Sequence, residues 1–136
     1  MRFVIDNSVL VAWALDEQSE YADAVGGRLG DAVVLAPALW PLEFANTLLV
    51  AERRGRLTEA RASQLRDQVS GLGIVVVPDH PPRVLTDVLA LARRHGLTVY
   101  DASYLDLAMR ECVPLATLDD RLAGAARRAG VPLVEP

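Results

Sequence analysis

The stretch Phe3–Leu15, FVIDNSVLVAWAL, holds the pattern from which the fold is read. Phe3–Ile5 is a short apolar run without polar alternation, which reads as a strand buried on both faces, and Asp6 stands as its last residue. From Val9 to Leu15 the apolar spacing turns helical. The same change of period recurs along the chain. Further apolar runs stand at Val33–Ala36, Ile74–Val77 and Leu115–Ala116, with a weaker one at Leu133–Val134. Helical segments lie between them at Glu20–Leu29, Pro41–Arg54, Thr58–Ser70, Arg83–Arg94, Tyr100–Glu111 and Asp120–Ala129. Pro41 in a first turn with Gly55 just past the end, and Thr58 as a cap with Gly71 and Gly73 behind, punctuate two of them. Strands that alternate with helices over short loops require right-handed βαβ crossovers, which predicts a three-layer α/β/α sandwich on a mainly parallel central sheet. No repeat, low-complexity tract or linker interrupts the pattern, so residues 1–136 are expected to form one domain.

Composition narrows the class. A chain of 136 residues buries enough surface to fold without disulfides, and the single Cys112 cannot form an internal bridge. Cys112 is expected as a small core residue near a helix end, and His80 and His95 as surface residues. No paired Cys/His spacing resembles a zinc site, so a reducing, cytoplasmic setting is expected. The first residues enter a strand directly, without the pattern of a secretory leader. Apolar stretches break well before the roughly 20 residues of a membrane span, so no membrane association is expected. Fourteen basic residues, all arginine, against 18 acidic ones give a net charge of −4, so a polyanionic partner has to be held locally rather than by a global field. The acidic stretch Asp16–Glu20 reads as a solvated face, and Trp13 and Trp40 as core or interface residues.

Four acids sit hard against apolar runs: Asp6, Glu43 in LWPLEFANTLL, Asp101 in LTVYDASYLDLA and Asp119 in PLATLDDRLAGAA. A buried carboxylate costs several kcal/mol unless a cation or hydrogen-bond donors compensate it. In an open parallel sheet, ligands bind beyond the carboxyl ends of the strands. Asp6 and Asp119 follow two of the expected strands, and Glu43 and Asp101 open helices. Taken singly, each reads equally well as a helix cap or first-turn acid, and Thr98-x-x-Asp101 and Thr117-x-x-Asp120 both match a capping box. Glu43 is the hardest to explain this way, because Leu42, Phe44 and Ala45 flank it.

Taken together, the acids ask for a cation. At ~5 Å and an effective dielectric of ~20, two carboxylates repel by roughly 3 kcal/mol, and some would otherwise take up protons. An all-oxygen set of this kind suits Mg²⁺ or Mn²⁺. A phosphate can approach such a site only when divalent cations reverse its local sign, which points to metal-assisted phosphoryl chemistry.

Asp6-x-Ser8 after the first strand, Glu43 with Asn46, Tyr100-Asp101-Ala102 with Tyr104, and Thr117-x-Asp119 with Leu122 together resemble a PIN-domain ribonuclease of the VapC toxin type, over essentially the whole chain. The resemblance implies a Mg²⁺- or Mn²⁺-dependent endoribonuclease, with Asp6, Glu43, Asp101 and Asp119 holding the metal directly or through water. Ser8, Asn46 and Thr117 match the family's supporting polar positions, with Asp120 a further neighbour. Asn7 stands where the family often has a smaller residue. The resemblance also implies an RNA substrate, a cognate antitoxin protein that blocks the acidic crevice, and a homodimer or hetero-oligomer with that antitoxin. Arg53, Arg54, Arg93 and Arg94 are candidate RNA-backbone contacts, although charge pairs at helix ends are usually solvated and dipole-compensating. Two other functions remain open at this point: a non-catalytic PIN-like module that binds RNA or protein, and a metal-dependent nuclease or phosphatase on another phosphate substrate.

Overall fold

The structure, a computed structural model, describes residues 1–136. Four strands, β1 (Arg2–Ile5), β2 (Val33–Pro37), β3 (Val75–Val77) and β4 (Leu115–Ala116), pair in parallel in the order β3-β2-β1-β4. Helices α1 (Asn7–Ala14), α2 (Glu20–Gly26), α3 (Trp40–Arg53), α4 (Glu59–Ser70), α5 (Pro81–Arg83), α6 (Leu89–His95), α7 (Val99–Glu111) and α8 (Asp120–Arg128) connect the strands, and a π-helical turn, Val84–Val88, joins α5 to α6. The expected three-layer parallel α/β architecture is the one found.

β1 lies between β2 and β4, with Phe3 opposite Val34, Val4 opposite both Leu35 and Leu115, and Ile5 opposite Ala116. Phe3, Val4 and Ile5 are fully buried, as an apolar run without alternation requires. They belong to a core of 31 residues that includes Leu10, Leu35, Leu65, Tyr104 and Leu122. Truncating a residue such as Ile5 to alanine there costs about 2–5 kcal/mol. From β1 the chain moves outward to β2 and β3, then returns to the other side of β1 as β4. The switch point thus lies beyond the carboxyl ends of β1 and β4.

Gly26 answers to a packing demand. A Cβ there would lie 2.1 Å from the Trp13 ring, so only glycine lets α2 close on the half-buried indole of α1. Trp40 is buried and its ring centroid lies 6.0 Å from that of Phe44.

Several expectations change. β1 ends at Ile5, and Asp6 takes the extended N-cap position of α1. β3 is an edge strand, and Val75 and Val76 are 47% and 39% exposed, so it is not buried on both faces. Leu133–Val134 forms no full strand: Leu133 makes an isolated bridge to Leu115. The helix expected from Arg83 begins at Pro81 and widens into the π turn, within which the Thr86 hydroxyl donates to the Pro82 carbonyl at 2.8 Å. Cys112 is exposed, not core, because it ends α7 in the left-handed conformation, with φ 53°. His80 is exposed and His95 half-buried. No helix is long and apolar enough to cross a membrane.

Candidate functional site

The parallel pairing of β1 with β4 brings two chain segments 111 residues apart to one point. The Asp6 backbone N–H donates to the Ala116 carbonyl at 2.9 Å, and Thr117 follows Ala116 directly. Asp6 is only 5% exposed. Its backbone occupies a cap position, but its side chain makes no cap bond. Instead, Asp6 Oδ2 accepts hydrogen bonds from Ser8 Oγ at 2.6 Å and Thr117 Oγ1 at 2.8 Å. Backbone amides fix both hydroxyls in turn: Leu118 N–H donates to Ser8 Oγ at 3.0 Å, and Asp119 N–H to Thr117 Oγ1 at 3.0 Å. Each hydroxyl proton is thereby committed to the Asp6 carboxylate.

Glu43 stands in the first turn of α3, where Tyr104 Oη of α7 donates to its Oε1 at 2.5 Å. Tyr104 is fully buried, so the contact crosses the core and sets the Glu43 rotamer. One turn along α3, Thr47 Oγ1 donates to the Glu43 carbonyl at 2.9 Å and accepts from Asn7 Nδ2 at 3.4 Å. Because the single Thr47 proton is already used, the Asn7 nitrogen faces Thr47, which leaves the buried Asn7 Oδ1 without a partner. Asp101 enters the first turn of α7, its N–H donating to the Thr98 cap hydroxyl at 3.1 Å. Asp119 caps α8, and its Oδ1 accepts from Leu122 N–H at 2.9 Å.

The electrostatics tie these acids into one group. Burial, opposed by the Ser8 and Thr117 hydroxyls and reinforced by the Asp119 charge, leaves the Asp6 carboxyl above its ordinary range. Glu43 is raised by burial and by the charges of Asp6 and Asp101, against the Tyr104 hydrogen bond. Asp101 is raised by burial and by Asp6 and Asp119, with the Thr98 contact and the Arg121 guanidinium acting the other way. Tyr104 is held strongly neutral, by burial first and by its bond to Glu43 next. Carboxyls raised first by burial and further by one another's charge form a group short of positive charge. Its donors are all oxygen, which fits a hard divalent cation and not zinc. No three side chains close into a ready-made cage. Mg²⁺, which keeps several of its waters, suits so open a set.

The supporting residues divide. Ser8 and Thr117 grip Asp6, whereas Asn46 is exposed and makes no hydrogen bond to the acids; Thr47, beside it, makes the contact instead. Asp120 is exposed in the first turn of α8, one residue past the cap, so the box expected at Thr117-x-x-Asp120 does not form. Arg53 and Arg54 are exposed at the end of α3, where Arg54 joins Arg56, Asn46 and Thr47 around a cleft of about 540 Å³ against α1. Arg93 and Arg94 are exposed in the last turn of α6. Sequence reading missed Arg121, exposed in the first turn of α8, and the role of Asp106. Asp106 is 4% exposed and takes Arg83 at 2.7 Å and Arg110 at 2.9 Å. The i,i+4 spacing of Asp106 and Arg110 was the available signal for that cluster.

An α/β sandwich with a carboxylate group at the switch point of its parallel sheet defines the PIN class, and the chain belongs to this family: residues 3–128 match the family described as PIN domain. Within it the chain is of the VapC type. It is 36% identical over 124 residues to "Ribonuclease VapC3" of Pyrobaculum aerophilum, covering 90% of this chain and 93% of that protein. The crystal structure of PAE2754, also from Pyrobaculum aerophilum, superposes with a TM-score of 0.70 at 29% identity, over 92% of this chain and 79% of that one. A chain from a toxin-antitoxin complex of Klebsiella pneumoniae shares the fold, with a TM-score of 0.59 at 15% identity over 89% and 90% of the two chains.

Proposed function

We propose that this chain is a Mg²⁺- or Mn²⁺-dependent endoribonuclease that hydrolyses RNA phosphodiester bonds as the toxin of a type II toxin-antitoxin pair. The observation that carries this reading is Asp6: a carboxylate 5% exposed, held by two neutral hydroxyls and within repulsive range of further carboxylates, with no cation paired to it. Asp6, Glu43, Asp101 and Asp119 would hold the metal, in part through water. When bound, the metal supplies an activated water and neutralises charge on the phosphate.

The other tasks fall to the chain itself. Ser8 and Thr117 hold the Asp6 carboxylate in one orientation, and Tyr104 does the same for Glu43 from across the core. Asp119 is held by its own cap bond at the start of α8, and the Thr98 cap fixes the backbone of Asp101 at the start of α7, so both acids stand on rigid helix ends. The name of the Pyrobaculum aerophilum relative, at 36% identity, supports the ribonuclease reading. A cognate antitoxin, a homodimer and a cytoplasmic setting belong to the same proposal.

Replacing Asp6 with Asn tests it. Metal-dependent RNA cleavage should fall at least a hundredfold while the circular dichroism spectrum stays that of the parent; undiminished turnover overturns the assignment. Calorimetric titration with Mn²⁺ separates the enzyme from a non-catalytic binding module, for which neither binding nor thermal stabilisation is expected.

A further inference from the structure

The acids account for a metal, but a chain of net charge −4 still has to hold the rest of its substrate. Two exposed side chains stand beside them with no structural task. Arg121 is the second residue of α8, directly after the cap Asp119 and its neighbour Asp120. That is the wrong end of a helix for a cation, since the dipole there favours negative charge. Arg121 is exposed and, like most arginines of the chain, takes part in none of the ion pairs, so its position and not its lack of a partner sets it apart. Tyr100, the residue before Asp101, is 65% exposed on the first turn of α7, an unusual position for an aromatic ring with no partner. Leu118, between β4 and α8, adds apolar surface at 39% exposure.

We propose that the first turns of α7 and α8 form a two-part grip on single-stranded RNA, Arg121 taking a phosphate next to the scissile one and Tyr100 stacking on an unpaired base. Arginine suits the phosphate through its planar fork of donors. An exposed aromatic suits an unstacked base and tolerates any sequence. Each contact lies one residue from a helix-start acid or two from a helix cap, so the grip has a fixed register relative to the acids. Duplex RNA, whose bases are stacked inside, offers nothing to Tyr100.

The grip rests on the proposed ribonuclease reading, and its test keeps the two apart. Cleavage of RNA by the unmodified protein with Mn²⁺ tests that reading; no cleavage overturns both. Binding of a fluorescent single-stranded oligoribonucleotide is then followed in the Asp6→Asn background, where the strand stays intact. Arg121→Gln should raise Kd about five- to tenfold and lower the slope of log Kd against log salt by about 0.7, the value for one phosphate on a single strand. Tyr100→Ala should raise Kd about tenfold with the salt slope unchanged, and Tyr100→Phe should bind as the parent does. Neither variant should alter the melting temperature or the Mn²⁺-induced stabilisation of the otherwise unmodified protein. Cleavage by the unmodified protein together with parental Kd and salt slope in Arg121→Gln, or parental Kd in Tyr100→Ala, overturns the grip alone.

Discussion

Asp6 and Asp106 are buried to nearly the same degree, 5% and 4% exposed, yet the protein treats them in opposite ways. Asp106 is closed between two guanidinium groups, Arg83 at 2.7 Å and Arg110 at 2.9 Å, which brace the α5–α6 segment against α7. Asp6 receives two hydroxyls and the repulsion of its neighbours. The chain thus has arginines available for buried acids and places none against Asp6. A carboxylate matched by cations of its own chain is a brace; one left with neutral donors among other carboxylates fits the external cation proposed above.

Asp106→Ala should break the brace and give the largest change in stability, about 1–3 kcal/mol lost in urea denaturation, because both freed arginines are partly exposed and can hydrate. Cleavage measured on the folded fraction should change far less. The converse belongs to Tyr104→Phe, which deletes the hydrogen bond to Glu43 and keeps the ring. Mn²⁺ affinity by calorimetry should fall about tenfold, the usual scale for a residue that orients a ligand.

The smallest effect is the most diagnostic. Asp6, Glu43 and Asp101 are raised in the folded state, so the native protein binds more protons than the unfolded chain once pH exceeds the ordinary carboxylate values near 4. In chelator, the contribution of these acids to stability should therefore fall as pH climbs from that range through the raised values, and flatten above them. Thermal melts at a series of pH values check this. Saturating Mn²⁺ should remove the fall, and Asp6→Asn should raise the metal-free melting temperature, in contrast to the loss at Asp106. A fall that persists unchanged in Mn²⁺ would show that these carboxyls do not face a common ion.

The sheet and most helices were legible because their signals are local. An unbroken apolar run such as Phe3–Ile5, held between Arg2 and Asp6, is short enough to read as a buried strand, and caps such as Thr58 and Thr98 mark helix starts within a residue or two. The four acids were legible as a group because strand ends and helix starts in this architecture meet at one end. What stayed hidden depends on distant neighbours. The exposure of Val75 and Val76 follows from β3 lying at the edge, an order that no run of valines encodes. The Arg83–Asp106 pair spans 23 residues, and the π turn beside it leaves the apolar period almost unchanged. Cys112 looked like core until the chain turned left-handed there to enter the β4 approach.

The two hydroxyls at Asp6 have an entropic consequence. Ser8 and Thr117 both donate to Oδ2, which leaves the other oxygen without a side-chain hydrogen bond. A carboxylate held in this way cannot spin or swing to meet an arriving ion. An ion entering the proposed site would meet an acceptor whose rotamer freedom was already lost in folding, so little further ordering of that side chain would oppose binding.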